Sequence, residues 1–303
     1  MISFKKILVP VDFSEPSKKA VTYGLTLANR FNASLIITHI VPESSALTYA
    51  FPTETLNIEK EQCDKAQQAI RSLVPPEYAA KLNIRTIVKI GAIEQELLGV
   101  AKDEAVDLVV MGTHGRRYLG RWFLGSVTEH ILRKVPVPVL TVSHVETEEH
   151  EIGPVSLKRI LYATDLSESS NAGLKYAIEL ARGDGAQLTV IHIVDYEDHV
   201  LWGPALIANL ENERAKLTEE MRKKLEDLVT REKPPGMQIE TLVVEGKPFR
   251  KIVEIAESRG INIIVLNLQS KSVFERALLG STAERVVRLA RTPVLSVPIA
   301  VGM

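Results

Sequence analysis

The sequence predicts two tandem five-stranded α/β sandwiches, each built around a parallel sheet, and three observations predict it. First, 303 residues with a 45% hydrophobic share give length and apolar content for about two ordinary domains, each with its own core. Second, the chain repeats itself. Lys6-Ile7-Leu8-Val9-Pro10-Val11-Asp12-Phe13-Ser14-Glu15 aligns with Arg159-Ile160-Leu161-Tyr162-Ala163-Thr164-Asp165-Leu166-Ser167-Glu168 at an offset of 153 residues. The same offset matches Tyr23 with Tyr176, Ala33 with Ala186, and His39-Ile40-Val41 with His192-Ile193-Val194. Beyond a two-residue insertion the offset becomes 155, matching Gly91 with Gly246, Gly125-Ser126 with Gly280-Ser281, and Pro138-Val139-Leu140 with Pro293-Val294-Leu295. A period this long is a duplicated domain, because solenoid units run about 20 to 50 residues. Third, short apolar runs alternate with amphipathic segments in each half, the pattern of β-α-β units.

In the first half, strands are predicted near 5–11, 34–41, 84–90, 106–111 and 138–143, with helices near 16–31, 54–73, 93–104 and 126–134. The strands are dense in Val, Ile and Leu with little polar alternation, which requires helices on both faces of the sheet. Ser14 or Ser17 can cap the first helix, where Ala20, Tyr23, Leu27 and Phe31 recur on one face. The second half predicts strands near 158–164, 187–194, 238–245, 261–266 and 293–298, and helices near 170–182, 207–230, 248–259 and 281–290. Domain one is thus assigned to residues 1–145 and domain two to 157–303. The acidic, turn-prone stretch 146–156 is the linker.

Charge and composition exclude several functions. Thirty-seven basic against 38 acidic residues lack the basic excess that nucleic-acid binding uses. No segment reaches the roughly 18 apolar residues of a membrane-spanning helix. The amino terminus runs straight into the apolar segment ending at Pro10, without the long apolar core of an export signal. The single cysteine, Cys63, rules out an intrachain disulfide framework and Cys-based metal sites. The expectation is a cytoplasmic protein with no membrane insertion and no nucleic-acid partner.

In a sheet of this kind, ligands bind outside the carboxyl ends of the strands, where the connections diverge to opposite faces. There the first half reads Met111-Gly112-Thr113-His114-Gly115-Arg116-Arg117, continues through Trp122-Phe123-Leu124, and resumes as Gly125-Ser126-Val127-Thr128. Glycines let the main chain approach an anion, and the helix that follows adds its positive end. Ser126 and Thr128 can add hydroxyl donors, and Arg116 or Arg117 can screen phosphate charge. Asp12 is either a helix cap or a ligand group. His39 and His192 sit at matching strand ends, where a hydrogen-bonded core or rim histidine is the default reading. Trp122 and Phe123 form a lid or a patch buried against the neighbouring domain. The charged run 211–232 is the solvent face of a long helix.

The pattern Gly112-x2-Gly115-x9-Gly125-Ser126, with Asp12 after the first strand, resembles the ATP-binding signature of the universal stress protein family. The resemblance covers both halves. It implies a Rossmann-like fold of the adenine nucleotide alpha hydrolase type, with the first strand central and domains pairing through the last strand. By that resemblance Pro10, Val11 and Asp12 line the nucleotide pocket, and Ile40 and Val41 meet adenine through backbone groups. Met111, Gly112, His114, Gly115, Gly125, Ser126, Val127 and Thr128 would hold ribose and phosphates. In the second half Gly112 becomes Asn267, Gly115 becomes Ser270 and Val127-Thr128 becomes Thr282-Ala283, so that site is expected to be degenerate. The expected function is a stress-response regulator binding ATP in its first domain. Alternatives are a slow ATPase or phosphotransferase, with Mg2+ bridging phosphates to Asp12, and a nucleotide-free dimerisation scaffold. The loop offers no Walker lysine for fast hydrolysis. Strands 138–143 and 293–298 are expected to pair the halves as a pseudo-dimer, leaving whole chains to form a homodimer.

Overall fold

The computed structural model describes residues 4–43, 52–113, 124–143, 155–167, 171–182, 185–196, 210–268 and 281–299. They fall into two compact units that divide between Val155 and Ser156. The first contains β1 (Lys6–Pro10), α1 (Glu15–Phe31), β2 (Ser34–Pro42), α2 (Pro52–Ser72), α3 (Pro76–Ala79), β3 (Ile84–Gly91), α4 (Ile93–Asp103), β4 (Leu108–Gly112), α5 (Ser126–Lys134) and β5 (Val139–Val142). The second contains β6 (Arg159–Thr164), α6 (Asn171–Arg182), β7 (Gln187–Val194), α7 (Leu210–Glu232), β8 (Ile239–Glu245), α8 (Pro248–Ser258), β9 (Ile263–Leu268), α9 (Ser281–Leu289) and β10 (Val294–Pro298). The short α3, between a Pro75-Pro76 start and Ala80, is the one element among these that the periodicity does not forecast.

The strand order of the first unit is β3-β2-β1-β4-β5 and that of the second β8-β7-β6-β9-β10, with parallel pairing throughout each. Central strands are apolar on both faces: Ile7, Leu8 and Val9 in β1 and Leu108, Val109 and Val110 in β4 are all buried. This is why their sequences do not alternate. The amphipathic helices bury one stripe each, α1 through Ala20, Tyr23, Leu27 and Ala28. Burial pushes the Tyr23 phenol up to about 12. Phe31 meets Phe4 edge to face at 5.1 Å and closes the lower end of that stripe.

The amino ends of the strands are fastened at the same places in both units. Asp107 accepts from the amides of Lys5 (2.8 Å) and Lys6, and Asn262 accepts from the amide of Arg159 (2.9 Å). Lys6 Nζ donates to Glu104 O, and Arg159 Nη1 donates to Arg259 O. An ion pair recurs at one place with its polarity reversed, Arg85 with Glu104 and Glu240 with Arg259, each at 2.7 Å. The Arg259 guanidinium, bonded to Glu240, holds that carboxyl below the usual range.

After α4 the chain turns through Ala105 in the left-handed region (φ 48°), where the second unit has Gly260 (φ 59°). A side chain costs about 1–2 kcal/mol in that conformation, and glycine's greater unfolded entropy cancels part of any relief. Ala105→Gly is therefore expected to stabilise the first unit by about 0.5–1 kcal/mol, read as a raised urea midpoint with unchanged slope.

Candidate functional site

In this strand order β1 and β4 are neighbours whose connections leave in opposite directions, so a crevice opens beyond their carboxyl ends. Pro10, Val11 and Asp12 leave β1 there. The Val11 amide donates to Thr38 O at 2.8 Å, and His39 donates Nδ1–H to Val11 O at 2.7 Å. Both polar groups of the Val11 main chain are thereby fixed. Asp12 Oδ1 then accepts from the amide (3.1 Å) and hydroxyl (2.5 Å) of Ser14, closing an Asx turn. Ser14 occupies the N-cap position of α1, but its hydroxyl bonds back to Asp12 instead of capping the helix. Ser17 Oγ accepts from the Asp12 amide and donates to Ser14 O. Between these bonds Phe13 is held at φ 67°, its ring against that of His39 at 4.8 Å.

Met111 is buried near the end of β4, and Gly112 follows it. The reason for glycine at 112 is its neighbour: a Cβ there would lie 2.8 Å from Pro16 Cβ and 2.9 Å from the Pro16 carbonyl carbon. Helix α1 therefore starts directly on the Gly112 main chain. Thr113 and Gly125 are joined by a Gly125 N–H to Thr113 O bond of 2.9 Å, so both ends of the intervening loop stand together. His114, Gly115, Arg116, Arg117, Trp122 and Phe123 lie outside the described residues.

Helix α5 starts at Ser126 with Gly125 as N-cap and no side-chain cap. The first intrahelical bond runs from the Glu129 amide to Gly125 O, so the amides of Ser126, Val127 and Thr128 have no helical acceptor. Ser126 is exposed, whereas Thr128 is buried and donates its hydroxyl to Gly112 O at 2.9 Å. The hydroxyl expected to face a ligand is thus committed to the main chain, leaving Thr128 only its amide. Asp12, Ser17, Gly112, Thr128 and Gly125 form one connected set across β1, β4, α1 and α5.

Ile40 and Val41, both buried, lie beyond the last β1–β2 pair, Pro10 with Thr38, and pair only with β3. Backbone groups alternate sides along a strand. Because Thr38 O faces β1, the Ile40 N–H and C=O face the same way, past the end of that strand. The Val41 main-chain groups face the opposite side, toward β3.

The second unit keeps the first part of this arrangement. Asp165 Oδ1 accepts from the amide (3.0 Å) and hydroxyl (2.7 Å) of Ser167, Leu166 stands at φ 61°, and His192 donates Nδ1–H to Thr164 O at 2.9 Å. It differs at β9. The Asn267 side chain occupies the space above Gly173 of α6, where a Cβ on residue 173 would be 2.0 Å from Asn267 Oδ1. The position corresponding to Gly173 in the first unit is Ala20. A glycine lost from the strand is matched by a glycine gained on the helix. His39 and His192 are the hydrogen-bonded rim histidines that their matching positions suggested, whereas the left-handed Phe13 and the bond from the Asp12 amide to Ser17 carried no signal in the sequence.

Among the described residues no helix is long and apolar enough to cross a membrane, and no group of three or more His, Cys, Asp or Glu side chains could hold a metal ion. The duplicated, doubly wound sheets with a helix start at the strand switch define a tandem α/β class. The universal stress protein family model matches residues 3–143 and again 156–298, and the chain belongs to that family. It is similar to universal stress protein MJ0577 of Methanocaldococcus jannaschii, with 32% identity over 47% of this chain and 96% of that protein. Universal stress protein Rv2005c of Mycobacterium tuberculosis is 25% identical over 95% of each chain. A universal stress protein structure from Archaeoglobus fulgidus shares the fold at a TM-score of 0.70 and 20% identity, covering 97% of this chain and 98% of that one.

Two outcomes are expected. Gly112→Ala forces the new methyl against backbone that cannot swing away, destabilising the first unit by about 1–3 kcal/mol in denaturant titration. For His192, burial is the largest influence and holds its pKa below the usual 6.5. The unfolded chain then binds a proton at a pH where the folded one does not, so stability falls as pH drops below about 6.5. His192→Gln should flatten that acid limb of a thermal-melt series, while leaving the neutral limb parallel to the parent.

Proposed function

We propose that this chain is a regulatory nucleotide-binding protein of the stress response, taking one ATP in the crevice of its first unit. The observation that carries the proposal is the helix start at Ser126-Val127-Thr128. Three successive amides without helical acceptors stand beside the ends of β1 and β4, the arrangement that accepts phosphate oxygens. Ile40 offers one donor and one acceptor past the end of β1, a match for an adenine edge. Pro10, Val11 and Asp12 would flank the base and ribose. His114, Gly115 and Arg116 belong to the same proposal through the family signature.

Mg2+ would arrive with the phosphates, with Asp12 as the carboxylate presented by the strand-end turn, and would supply charge neutralisation. Asp12 already accepts two hydrogen bonds on Oδ1, which suits a group that orients more than one that shuttles protons. Binding rather than turnover is therefore the proposed output. The two units are proposed to pair through their last strands and whole chains to form homodimers, in the cytoplasm.

Calorimetric titration with ATP tests the site. One equivalent per chain is expected. Ser126→Asp places a carboxylate where phosphate would bind yet favours the helix start electrostatically, so affinity should fall by about tenfold or more while the fold is retained. Ser281→Asp, its counterpart in the second unit, should leave ATP binding unchanged. An unaltered titration for Ser126→Asp, or a loss for Ser281→Asp, would defeat the assignment.

A further inference from the structure

Thr38 is wholly buried, and its hydroxyl has no hydrogen-bond partner among the described residues. A hydroxyl taken out of water and left unbonded weakens a fold, so its retention calls for a reason. The position of Thr38 in the sheet and the residue that replaces it in the second unit supply one.

A Cβ on Gly24 of α1 would lie 2.6 Å from Val9 Cγ2 and 3.3 Å from Leu35 Cδ1, so Val9 and Leu35 face α1. Side chains alternate along a strand, which turns Pro10, Thr38 and Ile40 to the opposite face. Lys89, the β3 partner of Ile40, shares that face and pairs with Glu96 of α4 at 3.2 Å. Helix α4 in turn meets α5 through Glu94 and His130 at 3.1 Å. Thr38 therefore lies on the face that carries the start of α5, beside Pro10 in the last β1–β2 pair and directly below Ile40. The Ile40 main chain is the group proposed to meet the adenine edge.

The duplication separates this hydroxyl from the common frame. The second unit also buries an unbonded hydroxyl, Ser296 of β10, but the first unit has a hydroxyl at the same position, Thr141. That feature belongs to the repeated sheet. Thr38 corresponds instead to Ile191, which is buried and apolar, so packing at this point needs no polar atom. The hydroxyl is present in the unit that keeps Gly112 and Thr128, and absent from the unit that has Asn267 and Ala283 in their places.

We infer that Thr38 is a specificity-determining residue of the nucleotide crevice, its hydroxyl bonding the purine base beside the Ile40 main chain. Thr38 has this role only if the crevice takes a nucleotide as proposed above. A hydroxyl both donates and accepts, so it can serve a ring nitrogen or the exocyclic amine. The bond is missing in the free protein and made in the complex, away from water, where a polar group left unpaired is costly. Stability and affinity therefore move in opposite directions at this residue.

Calorimetry and urea titration of the full chain test this, with ATP, adenosine and tripolyphosphate as probes. Thr38→Val keeps the branched shape and removes the hydroxyl. Its affinity for ATP and for adenosine should fall by about fivefold or more, with tripolyphosphate unaffected and the urea midpoint of the free protein raised. Thr38→Ser keeps the hydroxyl and loses the methyl, so ATP affinity should stay within about twofold of the parent while the midpoint falls. Three results would each refute the role and leave nucleotide binding standing: ATP held by Thr38→Val as tightly as by the parent, a lowered midpoint for that variant, or an equal loss with tripolyphosphate. A parent chain that takes no ATP would overturn the nucleotide crevice itself, and the role of Thr38 with it.

Discussion

The first turn of α1 rests on the bare main chain of Gly112, and the arrangement around the crevice follows from that contact. Because Pro16 sits directly over residue 112, Ser17 is brought close enough to bond the Asp12 amide, which ties the exit of β1 to the start of α1. On its other side the Gly112 carbonyl takes the Thr128 hydroxyl, which positions the first turn of α5. Two helix starts are therefore held at the ends of two adjacent strands by one residue without a side chain. The cost of this tightness is visible at Phe13. A left-handed, non-glycine residue loses about 1–2 kcal/mol. Two hydrogen bonds to Asp12, each contributing about 0.5–1.5 kcal/mol net, together with packing of the ring on His39, are of the size needed to offset it.

The duplication serves as an internal comparison, since the second unit solves the same packing problems with different residues. Gly112 and Ala20 become Asn267 and Gly173, so strand and helix keep their approach while the side chain changes sides. The His130–Glu94 pair at 3.1 Å, which links α5 to α4, is replaced by Arg285 over the Phe249 ring at 4.9 Å between α9 and α8. The Arg85–Glu104 pair is inverted as Glu240–Arg259. In each case the location of the contact is retained and its chemistry is exchanged. Such a contact answers to geometry, and complementarity at the location matters more than the identity of either partner. Exposed pairs of this kind contribute at most about 1 kcal/mol each, so they could drift in identity without threatening the apolar strands that carry stability.

Much of the fold was legible because the repeat and the apolar periodicity are written locally. Helix α5 and strand β7 fall where the sequence places them, and the other forecast elements shift by at most a few residues at their ends. The glycines around β4 were legible as a loop, yet the reason for Gly112 was not, since Pro16 is 96 positions away and meets it only after folding. Thr128 reads naturally as a ligand hydroxyl until the Gly112 carbonyl is seen to accept its proton. His39 announces itself by repetition, but its bond to Val11 O depends on the register of β1 against β2.

The sequence by itself determined the duplication, the order of strands and helices, and the family signature, because each is carried by residues adjacent or regularly spaced along the chain. The tertiary structure decided which groups are committed and which face outward. It assigned the Asp12 carboxylate to a turn and set the main-chain groups of Ile40, rather than those of Val41, on the side of β1. Those outcomes depend on strand register and helix docking, which bring together groups that no local pattern relates.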